Sequence, residues 1–399
     1  MIASVRDDYN QAFSPEQYRA FLDAVHADLP GLLDFRVAET PVFVPAFFKE
    51  KLIAACDDIV AVLTREDYKE LTDRAIPSHQ FVPNEDEHPA FLAIDFAVCR
   101  DEQGELTPLL IELQGFPSLF GFQPYISEMY RTFFPIPENF SHLFNVDSNQ
   151  TYLEHLRRRI VGLCDPEEVI LLEIYPEKQK TRIDFELTKR YLGVEPVCLT
   201  KIRKNGRQLY YEKNGRQIHI KKIYNRLIFD ELEQMPDLQT EFKLTDDVEV
   251  EWIGHPNWFF RVSKFTLPLL NSPYVPASYY LHTLPQYPED LSQYVLKPLY
   301  SFAGSGVKLN ITPSDLDAIP EAERPNYLLQ RKVQYEPVVL AADGSLIKCE
   351  IRLLFIWHKR EPRPLLLTNL SRLSRGEMIG VRFNKDFDWV GGSICYFEP

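Results

Sequence analysis

Two acidic residues stand inside otherwise apolar runs: Asp95 in FLAIDFAVC (Phe91–Cys99) and Glu112 in LTPLLIEL (Leu106–Leu113). A carboxylate taken into a buried strand is costly unless it is paired or bound to a metal. The turn Asp101-Glu102-Gln103-Gly104 joins the two runs, so they read as the strands of a hairpin. Gln114 lies two residues beyond Glu112 and therefore on the same strand face. The all-oxygen set of Asp95, Glu112 and Gln114 suits Mg²⁺. A solvent-facing sheet edge is the other reading, against which stand the apolar residues flanking both carboxylates.

The second stretch with chemistry in it is Tyr294–Leu309, YVLKPLYSFAGSGVKL. An apolar run delivers Lys297 onto Pro298. A loop follows in which Ala303, Gly304, Ser305 and Gly306 carry almost no side chain, and Val307 and Leu309 resume the alternation of a return strand. Backbone N–H groups of such a loop close readily on an anion, and a lysine just ahead of it reaches the same anion. An ordinary hairpin with a glycine-rich turn fits the stretch as well. The G-x-x-x-x-G-K-S/T phosphate loop does not, because Lys308 follows Gly306 at the wrong spacing and no helix signal comes after it.

The elements around these stretches follow from pattern. Ser14 as N-cap and Pro15 at the first position open a helix over 14–34, and 45–76 is mostly helical. Helix Thr151–Leu163, strand Val169–Tyr175, helix Gln179–Leu192 and strand Pro196–Leu199 alternate as a parallel α/β unit without a G-x-G-x-x-G fingerprint. The repeated Lys-Asn-Gly-Arg-Gln at 204–208 and 213–217 marks a three-stranded meander whose last strand runs to Arg226. Arg226 suits a substrate carboxylate and suits a structural ion pair equally. A helix over Phe259–Leu270 carries Lys264, and Tyr327–Leu340 (YLLQRKVQYEPVVL) is a strand with Gln330, Lys332 and Gln334 alternating against apolar residues. Lys348–Trp357 and Arg363–Leu370 make a last hairpin, with Glu350 and Arg352 on one face.

A chain of 399 residues is long enough for two or three cores, and its formal net charge of −14 disfavours nucleic acid and anionic membranes as partners. A bound polyphosphate therefore needs local lysines, arginines and a metal ion. Six cysteines without a C-x-x-C spacing, an N-terminus without an apolar leader core, and no apolar run approaching roughly 18 residues predict a soluble cytoplasmic protein with reduced thiols.

Taken in order, Lys264, Lys297 before its glycine-rich loop, and YLLQRKVQYEP resemble the ATP-grasp nucleotide site. The acidic hairpin lying ahead of the lysines resembles the circularly permuted members of that superfamily, the eukaryotic-type glutathione synthetases and glutathionylspermidine synthases. The resemblance covers about 90–125 and 220–399. It implies an α+β chain with α/β elements. Residues 1–148 would hold N-terminal helices and the metal-binding hairpin, 149–250 a Rossmann-like substrate-side domain with the meander, and 251–399 the nucleotide-binding subdomains.

It also implies an ATP- and Mg²⁺-dependent ligase that joins a small-molecule carboxylate to an amine through an acyl phosphate. Asp95, Glu112 and Gln114 would hold Mg²⁺, and Lys264 and Lys297 the phosphates. Gly304, Ser305 and Gly306 would cover them, with Gln330, Lys332 and Val333 at adenine and Arg372, Lys297 and Arg226 as the catalytic set. The sequence departs from the family pattern at Gln114 (usually asparagine), at Ala93 (an arginine in relatives) and at Ser301-Phe302, where glutathione synthetases carry a metal-binding glutamate. A nucleotide-binding protein without ligase activity and a small-molecule kinase are the alternatives.

Overall fold

The computed structural model describes residues 1–300, 306–376, 379, 384 and 386–399. The chain opens with helices Ala3–Ala12 and Pro15–Asp28, and the Ser14 hydroxyl caps the second by accepting from the Gln17 N–H at 3.2 Å. That helix stops at Asp28 rather than continuing to 34, because Leu29 precedes Pro30 and has left the helical region (φ −131°, ψ 69°). Strand β1 (Val42–Val44) and helix Ala46–Leu63 lead to the hairpin of β2 (Phe91–Arg100) and β3 (Leu106–Gln114), placed as the alternation predicts.

Helices Phe122–Phe133 and Asn149–Ile160 precede β4 (Val169–Glu173), helix Arg182–Leu192 and β5 (Glu195–Cys198), and β4 and β5 pair parallel. The meander consists of β6 (Arg203–Asn205), β7 (Gln208–Lys213) and β8 (Arg216–Ile220). At its second turn Asn214 and Gly215 both take positive φ, 53° and 72°, the pair a type I′ turn needs.

The meander does not run on to Arg226. The Lys221 N–H donates to the Glu168 carbonyl at 2.8 Å, and β9 (Lys222–Asn225) crosses into the parallel sheet between β4 and β10 (Glu251–Ile253). Ile223, Tyr224 and Asn225 are buried, as a central parallel strand requires.

Lys264 lies in a 3₁₀ turn rather than on a long helix. Helix Asn257–Arg261 ends, and Ser263 caps a new start at Lys264–Leu269, which contains Pro268. Next come β11 (Ser278–Tyr280), β12 (Tyr294–Pro298) and β13 (Tyr327–Arg331), in the order β11-β13-β12. The expected return strand Val307–Leu309 shrinks to one bridge between Leu296 and Lys308 on the outer edge of β12, whose full-length partner is β13 on the other edge. Ser301, Phe302, Ala303, Gly304 and Ser305 lie outside the described residues. β13 ends at Arg331, so Lys332 and Val333 stand in the irregular segment before β14 (Val339–Leu340).

The last strands are β15 (Leu346–Ile356), β16 (Leu365–Ser374), β17 (Gly391–Ser393) and β18 (Cys395–Phe397), the last of which pairs with β1. An antiparallel sheet ordered β17-β16-β15-β2-β3, with β14 on the edge of β15, brings the two hairpins together. Ile94, Phe96, Ile351 and Leu353 face one side of this sheet and join a core with Phe48, Leu52 and Ile59 of helix Ala46–Leu63. The alternate residues carry the charges. Among the described residues no helix is long and apolar enough to cross a membrane.

Candidate functional site

The charged face is a register product. Glu112, Asp95 and Arg352 are direct cross-strand neighbours on β3, β2 and β15, and one step along the sheet Glu350 faces Arg372 on β15 and β16. A bulge in β3 next to Asp95 leaves Ile111 without a partner and turns Glu112 and Gln114 toward the adjoining cleft, which Ile111 also lines. Gly115 then lets β3 run against the backbone of helix Asn257–Arg261, since a Cβ there would sit 2.5 Å from the Trp258 carbonyl oxygen.

Asp95 is fully buried and held by two arginines. Arg352 Nε and Nη2 donate to its two oxygens at 2.7 and 2.6 Å, and Arg372 Nη2 donates to Oδ2 at 2.7 Å. Arg372 also pairs with buried Glu350, which accepts from the Tyr335 hydroxyl at 2.9 Å. Burial pushes the Glu350 carboxyl above its ordinary range, opposed by Arg372 and reinforced by Asp95 and Glu112. Burial works against the Arg372 guanidinium, but Glu350, Asp95 and Glu112 together outweigh it and hold the proton more tightly than usual. Gln114 Nε2 donates to Glu112 at 2.5 Å, so the amide and the carboxylate stay side by side.

Across the cleft stand two lysines. Lys297 Nζ on β12 donates to Gln330 Oε1 on β13 at 2.5 Å, and Lys264 Nζ donates to the Pro298 carbonyl at 3.1 Å. Burial lowers the Lys297 pKa despite Glu112 and Glu350, and lowers that of Lys264 to about 8, with Lys297 as the second cause. An ammonium desolvated beside another ammonium is what an anion would relieve. Because the charged form of Lys264 is present below about 8 and lost above it, affinity for a polyphosphate is expected to fall as pH rises through that value. Calorimetric titration with pyrophosphate over the neutral to alkaline range checks this; an affinity flat across pH 8 would contradict it.

These walls enclose a cleft of about 2060 Å³, lined by Glu112, Gln114, Lys264, Lys297, Gln330, Lys332, Val333, Arg226 and Arg372 among others. Single-ligand pockets run to roughly 1,000 Å³, so the cleft has room for more than one reactant. Arg226 sits further along it, its Nη1 donating to the Pro117 carbonyl at 2.6 Å and its guanidinium 5.0 Å from the Phe116 ring centre. Beside it are Glu173 and Glu231, whose carboxyls burial pushes upward; the Glu231 charge raises Glu173 further.

The cleft thus gathers the described residues singled out in the sequence, with two exceptions: Asp95 lies beneath its wall, on two guanidinium groups, and the exposed Gly306 is not part of its lining, although its neighbour Val307 is. Sequence pattern gives no role to Arg352, Glu350, Tyr335, Glu173 or Glu231. The shared face of Glu350 and Arg352 is the available signal, since a buried strand with two opposite charges at period two needs partners on the next strand. Glu173 and Glu231 have none beyond their acidity at the ends of apolar runs.

The sequence matches no protein-family model and no curated protein. Among solved structures, the chain is similar to the apo form of a glutathione synthetase-like effector, GSS30, from Globodera pallida. The TM-score is 0.60 over 96% of this chain and 96% of that one, at 11% identity. At this identity the likeness is one of fold: a mixed helix-and-sheet chain built, over nearly its whole length, like a glutathione synthetase-like protein.

Proposed function

We propose that the chain is an ATP- and Mg²⁺-dependent carboxylate–amine ligase of the circularly permuted ATP-grasp type. The observation that carries this reading is the convergence of two ammonium groups, Lys264 and Lys297, with the Glu112–Gln114 pair and Arg372 in one cleft large enough for several reactants. The likeness in fold to a glutathione synthetase-like protein supports it.

The residues present fit the nucleotide and its metal. Gln330 Nε2 and Arg372 Nε are sealed from solvent without a hydrogen-bond partner, so both residues keep donors for an acceptor-rich ligand. Mg²⁺ is commonly held by one or two carboxylates together with substrate phosphates and waters. Glu112 and Gln114 suffice for that role, and among the described residues no group of three or more His, Cys, Asp or Glu could hold a metal without the substrate. When bound, the ion, held by Glu112 and Gln114, would offset the charge that develops on phosphoryl transfer.

Lys264 and Lys297 hold the phosphates. Gln330, Lys332 and Val333 border adenine, and Gly306, with Gly304 and Ser305 outside the described residues, covers the phosphates. Arg372, fixed on two carboxylates, steadies the acyl group as the γ-phosphoryl passes to the substrate carboxylate, while Arg226 holds the acid at the far end. The amine then displaces phosphate, and the products are an amide, ADP and phosphate.

A nucleotide-binding protein without ligase activity is the second reading. Ala93, the buried ladder partner of Gln114, favours it because it puts only a methyl group where relatives place a substrate-binding arginine. Calorimetry with ATP, with and without Mg²⁺, followed by an ADP-release screen over amino acids, peptides and polyamines, tests both. Mg²⁺-dependent binding with ADP release only when an acid and an amine are both present is the expected result. Binding without stimulated release leaves the second reading, and no ATP binding rejects the two together.

A further inference from the structure

Asp95 does not fit the metal role its sequence position suggests. Its carboxylate has no solvent-exposed surface and accepts three N–H groups, two from Arg352 in a fork and one from Arg372. A carboxylate offers about four lone-pair sites, so most of its capacity is filled, and two guanidinium charges beside it repel a dication. Arg352 Nη2 also lies 3.6 Å from Glu112 Oε1, so one guanidinium spans the two acids that a shared metal would bridge.

We infer that Arg352 is the built-in cation of this hairpin. It occupies the place of a metal ion between Asp95 and Glu112, and Asp95 in turn positions Arg372 through Oδ2 instead of ligating Mg²⁺. Glu112 and Gln114 alone are left for the metal. Arg352 and Asp95 are positioning residues, and the inference rests on the ligase reading only in treating Arg372 as the group that meets substrate.

The geometry of the fork makes this specific. Arg352 sits directly across from Asp95 in the ladder, and its side chain is 10% exposed against 0% for that of Asp95. The planar fork matches the carboxylate, which an ammonium or a hydrated ion does not.

The test uses the full chain with no nucleotide present and reads melting temperature against millimolar Mg²⁺ or guanidinium. Arg352→Ala leaves Asp95 and Glu112 short of a cation and is expected to lower Tm on the order of 5–10 °C. Either cation should restore most of that loss, and neither should move the wild type or the Asp95→Asn/Arg352→Ala double variant. Should Arg352→Ala fail to fold, Arg352→Lys, which keeps a charge but loses the fork, is read the same way with a smaller fall.

A wild-type Tm that rises with Mg²⁺ and loses that rise in Asp95→Asn would overturn the inference, because Asp95 would then be a metal ligand. A folded Arg352 variant that neither cation restores would overturn it too. Failure of the wild type to bind ATP would remove the ligase reading and leave this assignment standing.

Discussion

Lys297→Met is expected to bind ATP with Mg²⁺ roughly 10- to 150-fold more weakly than the wild type, the loss of one charged hydrogen bond, while melting at the same temperature or higher. The two halves of this expectation come from one fact. Burial holds the Lys297 pKa below its ordinary value even though Glu112 and Glu350 pull it upward, so desolvation outweighs both carboxylates and the charged ammonium costs folding free energy. The sign follows: a base whose folded pKa is lowered opposes folding at every pH where it must carry its proton, and a methionine of similar length removes that cost. What the methionine cannot do is meet a phosphate. Gln330 Oε1 loses its 2.5 Å donor in the exchange, which offsets part of the gain and explains why a neutral result is also expected. Parallel calorimetry and thermal melts read the two effects, and a variant that melts lower and binds ATP unchanged would make Lys297 a structural cation and remove the phosphate site.

That such a lysine is legible in the amino-acid sequence, while its neighbours are not, has a physical basis. Strand type and face depend on residues two apart, and FLAIDFAVC and LTPLLIEL declare both, so the hairpin and the shared face of Glu112 and Gln114 are readable locally. Partners across strands are not local. Arg352 meets Asp95 from 257 positions away, and only the register of β15 on β2 decides that an arginine rather than a cation from solution fills the space. Long-range pairing also decides where the meander ends, because the partners of β9, β4 and β10, lie in another sheet. It likewise gives β12 a full-length partner in the distant β13, while the nearby Val307–Leu309 meets its other edge at Lys308 alone. Lys264 departs from its expected helix for a different reason: Ser263 and Pro268 interrupt a pattern that hydrophobic spacing alone reads as one helix.

Arg372→Lys carries the other large effect, an expected loss of about 10²- to 10³-fold in kcat with KM for ATP changed only a few-fold, the size seen when one preorganised donor to a developing charge is removed. The argument is geometric. Arg372 is shared between Asp95 and Glu350, two buried carboxylates on neighbouring strands, and its Nη2 reaches both while Nε, which has no hydrogen-bond partner, is kept in reserve. A lysine keeps the charge, so Glu350 is not left alone with Tyr335, and its ammonium can meet both acids from one point as Nη2 does, but it has no second nitrogen to present a further N–H in a fixed direction. Binding of ATP draws on Lys264 and Lys297 and is expected to survive, which is why the loss falls on kcat. Steady-state ADP release with the acid and amine found by the screen separates the two constants. Arg372→Ala, measured beside it, should lose Tm as well, because burial already raises the Glu350 pKa and removing Arg372 takes away the largest charge opposing that shift, leaving a buried carboxyl without its direct ion-pair partner. If Arg372→Lys retained wild-type kcat, the guanidinium would be holding the sheet together and not the reacting acyl group. The catalytic contact would then have to come from the Arg226 end of the cleft.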